Sequence, residues 1–294
     1  MKLRWQPRAA AMASEWQDPY LIPGTDTLAN KLGIRDAATL RQVEYDLTAQ
    51  RLELLGERPI QGRFDLDHLQ RIHGYVFQDL YEWAGQLRTV DIEKGGARFA
   101  HAGFIEAAAA GMAKELEGER FLRGLDKEQF VERLAYHYGE LNALHPFREG
   151  NGRATREFIG QLAEQAGFTL DQTKIDNAKG QWNEAARMSF IGDLEPIKEF
   201  FNESVRYSRA VAFEKLPEAE AVAKYPELRG AFAALREAEA GVGRGADGRS
   251  GVEGMAEAKA DIVRRLDAGQ TVSPSAPSSE VAKAAGGRQA DMER

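Results

Sequence analysis

Residues 145–156 read His-Pro-Phe-Arg-Glu-Gly-Asn-Gly-Arg-Ala-Thr-Arg, and these side chains at this spacing suit chemistry on a phosphorylated ligand. His145 can accept a proton near neutral pH. Gly150, Asn151 and Gly152 follow in a row where side chains are small and backbone N–H groups can point one way. A helix beginning there offers unpartnered N–H donors and the positive end of its dipole, which is an anion site. Arg153 and Arg156 are three apart, share a helix face, and can grip a polyphosphate through paired N–H donors. Glu149 supplies the hard oxygen that Mg²⁺ on a phosphate needs. Phe147 has no polar role and reads as a core anchor; Arg148 reads as solvated. Together these residues form a nucleotide-phosphate site with a base beside it, and phosphoryl-type transfer needs little beyond position and charge neutralisation.

The elements that must position this loop are helical. Leu40, Val43, Leu47 and Leu54 recur at helical spacing over 37–55, with Asp36 as N-cap and Gly56 as stop. Asp65 opens a second helix carrying Leu66, Leu69, Ile72, Val76 and Leu80 on one face. Residues 87–100 alternate at Val90 and Ile92, turn at Lys94-Gly95-Gly96 and continue through Arg98-Phe99, the pattern of a short β-hairpin. Phe104–Leu116 is helical again. Asp126 caps a strong helix with Phe130, Val131, Leu134, Tyr138, Leu141 and Leu144 inward. It ends at His145-Pro146, because proline disfavours a helical residue before it. Another helix spans Asn151 to Gln165 and stops at Gly167; Asp176 and Asp193 read as caps of two more. Beyond Arg206, Tyr225–Ala240 and Met255–Leu266 read as helices. Residues 241–254 hold so much glycine that they read as a linker, and the tail from Gln270 reads as disordered.

Composition narrows the function classes. The chain of 294 residues has no cysteine, which excludes disulfide scaffolds, thiolate zinc sites and cysteine nucleophiles. Residues 206–294 carry 14 basic and 14 acidic side chains, so the net charge of −7 sits entirely in 1–205. An acidic body argues against direct nucleic-acid binding, which needs a basic face. No apolar run suits a membrane span, and the N-terminus lacks the apolar region of a signal peptide. His68, His73, His101 and His137 show no metal-ligand spacing and default to core or surface; Trp83 and Tyr81 read as core. Gly243-Arg-Gly245-Ala-Asp-Gly248 matches a dinucleotide fingerprint by letter, but follows an Ala-rich helix rather than a strand.

The 145–156 loop resembles the signature of Fic-domain proteins at every defined position. The resemblance extends over about 20–205, through Pro23-Gly24-Thr25, Tyr81-Glu82-Trp83-Ala84-Gly85 and the hairpin. It implies an all-α fold: a Fic-type helical bundle with a β-hairpin flap, plus a helical C-terminal extension and a disordered tail. The expected organisation is an N-terminal arm at 1–20, a catalytic domain at 21–206, the extension at 207–240, a linker at 241–254, and a short helix with tail at 255–294.

The resemblance also implies transfer of AMP from ATP to a Ser, Thr or Tyr hydroxyl of a target protein. His145 would deprotonate that hydroxyl. Glu149 would ligate Mg²⁺. Gly150, Asn151 and Gly152 would cradle the α-phosphate, with Arg153 on the β- and γ-phosphates and Arg156 on the γ-phosphate. Asn183, beside Trp182, would belong to the adenine pocket. Lys94, Gly95, Gly96, Ala97, Arg98 and Phe99 would form the flap that binds the target by strand addition.

Many such enzymes carry an inhibitory helix with the pattern Ser/Thr-x-x-x-Glu-Gly/Asn. The nearest match, Ser250-Gly-Val-Glu253-Gly254, has its Glu one residue too close and sits in the glycine-rich stretch. The chain is therefore expected to be a toxin or effector restrained by a separate small antitoxin protein. It is expected in the cytoplasm, its own or that of a cell into which it is delivered. Two rivals remain: a nucleotide-sensing or docking module without transfer, and a transferase using another nucleotide donor.

Overall fold

The computed structural model describes residues 18–94, 96–242 and 248–273. They hold twelve helices and two short two-stranded ribbons, an all-α fold in which strands are accessories. None of these helices is long and apolar enough to cross a membrane. The chain divides into two compact units. One holds the described residues up to Lys114 together with Leu141–Phe158; the other holds Glu115–Glu140 and the described residues from Ile159.

In the first unit, helix α1 (Ala37–Glu57) starts where the Asp36 carboxylate accepts the Thr39 N–H at 2.8 Å. Gly56 lies inside the helix and does not stop it. The inward stripe of α1 also departs from expectation. Leu40, Glu44, Thr48 and Leu55 are buried, whereas Leu54 is 47% exposed. Two polar residues occupy core-facing positions because they share a charged partner, described below. Helix α2 (Leu66–Phe77) is capped as expected by Asp65, which accepts the His68 N–H at 3.0 Å. It buries Leu69, Ile72, His73, Val76 and Phe77. Each large apolar side chain removed from water there contributes about 1.5–3 kcal/mol.

The hairpin is real but shorter than the alternation suggested. Strand β1 (Glu93–Lys94) pairs antiparallel with β2 (Ala97–Arg98), Glu93 opposite Arg98, around Gly96 at φ +81°. Val90 and Ile92 precede the ribbon; Gly95 lies outside the described residues. The Ala100 N–H donates to the Ala143 carbonyl at 3.0 Å, so the hairpin base is fastened to the end of the helix that delivers His145. Helix α3 (Ile105–Gly118) begins in this unit, and its Ile105 and Ala109 are buried in one cluster with Leu144.

In the second unit, helix α4 (Lys127–Leu144) begins at Asp126, which accepts the Gln129 N–H at 2.9 Å, and buries Phe130, Val131, Leu134 and Tyr138. Helix α5 (Asn151–Ala166) ends at Gly167, φ +92°. A ribbon missed in the sequence follows: β3 (Phe168–Leu170) pairs antiparallel with β4 (Val205–Tyr207), Phe168 opposite Tyr207. Three-residue strands are too short to declare a period of two. Helix α6 (Gln172–Asn177) is capped by Asp171 on the Thr173 N–H, 3.1 Å, so Asp176 lies within this helix rather than at its start. Helix α7 (Lys179–Phe190) is followed by α8 (Glu195–Ser204), where Asp193 accepts the Glu195 N–H at 3.1 Å.

The C-terminal extension is longer and better packed than expected. It comprises α9 (Ser208–Lys215), α10 (Glu218–Lys224), α11 (Leu228–Val242) and α12 (Gly248–Asp267). Phe213, Leu228, Phe232, Ile262 and Leu266 form one apolar cluster that also includes Val272. The expected 241–254 linker is thereby corrected: residues 248–254 are the start of α12, and 243–247 lie outside the described residues. The same holds for Ser250–Gly254, which is helical. In the expected disordered tail, Val272 is 3% exposed against the extension, and everything past Ser273 lies outside the described residues. Of the expected N-terminal arm, only Asp18 to Tyr20 are described.

Candidate active site

His145 leaves α4 in a left-handed conformation, φ +44°, with Pro146 following. The carbonyls stranded at this helix end are received by a guanidinium the sequence had not singled out. Arg88, 2% exposed, donates from Nε to the His145 carbonyl at 2.8 Å and from Nη2 to the Leu144 carbonyl at 3.3 Å. It also donates to the Val90 carbonyl at 2.8 Å and to the Ala100 carbonyl, one on each side of the hairpin. One buried cation thus ties both ends of the flap to the backbone of the candidate base.

The imidazole itself is oriented. His145 Nδ1 lies 2.9 Å from the Asn142 carbonyl, which can only accept, so Nδ1 carries the proton and Nε2 keeps its lone pair. The Phe99 ring stacks on it, centroids 3.7 Å apart and planes 11° apart. Burial pushes the His145 pKa down to about 4, against the Asn142 hydrogen bond and helped by Lys94. His145 is therefore a neutral acceptor throughout the physiological range.

The loop after it is braced from below. Phe147 is fully buried, as expected, and stacks at 3.8 Å on His73. His73 accepts the Gly85 N–H at Nδ1, 2.9 Å, and so donates from Nε2 to the Glu149 carbonyl, 2.9 Å. Gly85 adopts φ +80° and has the Gly74 backbone against it, which a side chain would obstruct. Gly150 adopts φ +81° directly over the Phe77 ring, where a Cβ would collide. Arg148 is not solvated, contrary to expectation: it holds Asp18 through Nε and Nη2 at 2.9 and 2.7 Å.

Asn151 requires a correction. Its Oδ1 accepts the Phe147 N–H and its Nδ2 donates to the Phe147 carbonyl, both at 2.8 Å. The side chain is a clamp closing the loop, so its contribution to an anion cradle comes through the main chain. The N–H groups of Asn151 and Gly152 head α5, where no earlier turn exists to receive them. A Cβ on Gly152 would meet nothing within 4 Å, so nothing in the protein requires glycine there. The open space fits a ligand that approaches the backbone closely. Gly150 is less available, because its N–H donates to Glu149 Oε1 at 2.9 Å.

Two charged side chains border that space. Glu149 is half exposed, and its Oε1 lies 3.9 Å from Arg153 Nη2. A single accessible carboxylate fits Mg²⁺ only if phosphate and water complete the octahedron. No group of three or more His, Asp or Glu among the described residues could hold a metal by itself. Arg153 packs its guanidinium 4.7 Å over Phe77, donates to Thr48 Oγ1 at 2.9 Å and pairs with Glu44. Arg156 sits half-buried on the same helix.

In the flap, Lys94 and Arg98 are exposed, Arg98 lying 3.7 Å from Glu93, and Gly96 makes the turn. Ala97 pairs with Lys94. Asn183 lies in the other unit, exposed on α7. Its neighbour Trp182 is core, edge-on to Tyr138 at 5.1 Å and to Phe200 at 5.3 Å. The residues that sequence reasoning missed are Arg88, His73, Glu44 and Thr48. Each lies far along the chain from the loop and looks ordinary where it stands.

The Fic/DOC family description matches residues 63–163. Protein adenylyltransferase VbhT of Bartonella schoenbuchensis is 47% identical over 60% of this chain, a stretch that spans 37% of that relative's length. The probable protein adenylyltransferase Fic of Escherichia coli is 43% identical over 65% of this chain and 94% of its own. Among solved structures, the BepC protein of Bartonella tribocorum with bound AMPPNP has a TM-score of 0.61 at 30% identity. It covers 64% of this chain and 97% of that one. A Bartonella quintana Fic domain with bound ADP also has a TM-score of 0.61, at 27% identity over 64% of this chain and 94% of that one. With the loop, the hairpin and the helical scaffold arranged as described, the chain belongs to the Fic/DOC family.

Proposed function

We propose that this chain is a protein adenylyltransferase that moves AMP from ATP to a Ser, Thr or Tyr hydroxyl of a target protein. The observation that carries the proposal is the His145 imidazole, locked with Nδ1 protonated and Nε2 open, on the loop whose far side starts α5 with Arg153. His145 Nε2 takes the hydroxyl proton as the hydroxyl oxygen attacks the α-phosphorus of ATP. The bond from the α-phosphorus to the bridging oxygen breaks, its electron pair leaves with pyrophosphate, and AMP stays on the target oxygen. A base in this position contributes about 10²–10⁴ in rate.

The main-chain N–H groups of Asn151 and Gly152 receive the α-phosphate, and Arg153 and Arg156 receive the outer phosphates. Glu149 would hold Mg²⁺, whose chemistry there is charge neutralisation on the triphosphate. Target binding is assigned to the flap, Lys94 to Phe99, through main-chain pairing with an extended segment. Asn183 is the adenine-side candidate. The inhibitory pattern with correct spacing does not occur in the sequence, which supports restraint by a separate small protein. We place the activity in the cytoplasm, as a toxin or delivered effector.

Incubation with α-labelled ATP, Mg²⁺ and a bacterial lysate is expected to label protein, and His145→Ala to abolish the label while leaving the fold intact. Label that appears only from the γ-position overturns the proposal in favour of a kinase. ATP binding without label in any lysate favours the docking-module reading. Stronger competition by another nucleotide than by unlabelled ATP reassigns the donor.

A further inference from the structure

Helix α1 turns four residues inward: Leu40, Glu44, Thr48 and Leu55. The two polar ones both meet Arg153. Glu44, 8% exposed, pairs with Arg153 Nη2 through Oε1 and accepts the Tyr81 hydroxyl through Oε2. Thr48, one turn on, accepts Arg153 Nη1 at 2.9 Å and donates its own proton to the Glu44 carbonyl at 2.7 Å. Phe77 lies under the guanidinium at 4.7 Å. Burial and the adjoining carboxylate keep the Tyr81 phenol protonated, so it serves as a donor.

Apolar side chains at these positions would stabilise the fold at least as well, since buried ion pairs seldom add net stability. What the polar pair does add is geometry. A free arginine loses rotamer freedom when it binds a ligand. Here the guanidinium is already held on two N–H groups and on one face, with the other N–H groups of its fork left for phosphate oxygens. We propose that Glu44, with Thr48, is a positioning residue that pre-sets Arg153 for the outer phosphates of the nucleotide. This rests on the assignment of Arg153 to the triphosphate made above.

The test is calorimetric binding of α,β-methylene-ATP with Mg²⁺, whose α–β bridge cannot be cleaved, alongside lysate labelling over a range of ATP concentrations. Glu44→Ala is expected to weaken binding about tenfold and raise the KM for ATP in parallel, with the maximal labelling rate within about threefold of wild type. Glu44→Gln keeps an acceptor for Arg153 and is expected to restore binding to within about threefold. Thr48→Val, a near-isosteric change that spares the carboxylate, is expected to weaken binding about threefold at unchanged Tm, and carries the test if Glu44→Ala does not fold. Binding that is unchanged or tighter in Glu44→Ala overturns the proposal, as does Gln failing to rescue, or, where Thr48→Val decides, unchanged binding in that variant. Arg153→Ala separates the two levels. If it loses affinity while the Glu44 and Thr48 variants do not, only the positioning role falls; if wild type does not bind the nucleotide, the transferase assignment falls with it.

Discussion

Phe99 lies face to face with His145, centroids 3.7 Å apart and planes 11° apart, so a flap residue forms one wall of the candidate base's surroundings. That wall keeps water from the imidazole, and loss of water disfavours the charged form. The His145 pKa of about 4 follows, with burial its largest cause. The labelling rate is therefore expected to be flat from about pH 8 down to pH 6, its acid limb falling near 4–5. Phe99→Ala re-admits water, moves the limb up toward the ordinary histidine value near 6.5, and costs more activity at pH 6 than at pH 8. A limb at the same pH in both proteins refutes the link.

The same physics is readable without catalysis. His73 is fully buried, and its pKa is pushed down to about 4, with burial the largest cause. His73 and His145 are thus depressed, so both stay neutral in the folded protein while the unfolded chain protonates below about 6.5. Stability is lost as pH falls from 6.5 toward 4, for His73 by about 1.4 kcal/mol per pH unit. Histidine ring resonances in NMR should show that the His73 and His145 imidazoles do not titrate between pH 8 and 5. If His73 or His145 titrates near 6.5, the assignment fails.

Gly150 and Gly152 are two residues apart and glycine for different reasons. Gly150 needs its positive φ and its clearance from Phe77, whereas Gly152 has no neighbour within 4 Å of a Cβ. Gly150→Ala is expected to lower stability by about 2–4 kcal/mol through overpacking and left-handed strain. Gly152→Ala is expected to leave Tm within about 2 °C and to weaken ATP binding, because its methyl would occupy ligand space. Denaturation and nucleotide titration of both variants check this; equal stability losses would contradict the distinction.

Much of the scaffold was legible because it is written locally. Asp36, Asp65 and Asp126 announce their helices through one side chain each, and Gly167 ends α5 by its backbone. The loop 145–156 was legible for the same reason, being contiguous. What escaped was non-local. Glu44 stands 109 residues from Arg153, and Arg88 57 from His145, and neither differs in its own neighbourhood from a surface charge. The resemblance places Asn151 at the α-phosphate, but its amide is committed to Phe147 within the loop, four residues away. The 248–254 segment read as a linker from glycine content alone, yet it begins a helix whose later residues Ile262 and Leu266 pack into the extension's core. Tertiary burial outweighs a propensity cost of about 1 kcal/mol per glycine.

Arg88 joins the flap to the base through four carbonyl oxygens: Val90, Ala100, Leu144 and His145. Arg88→Met leaves those buried acceptors without a donor and is expected to lower stability by about 3 kcal/mol or more. Arg88→Lys keeps the charge but has no planar fork to span the four oxygens, so its loss is expected to be intermediate. Both variants should also lose labelling rate at a temperature where they remain folded, since the His145 backbone and both ends of the flap lose their common anchor. Urea unfolding and labelling at the same temperature measure the two effects together. An Arg88→Met protein within 1 kcal/mol of wild type, or one that is folded and labels at the full rate, would show that the hairpin and the imidazole are held independently.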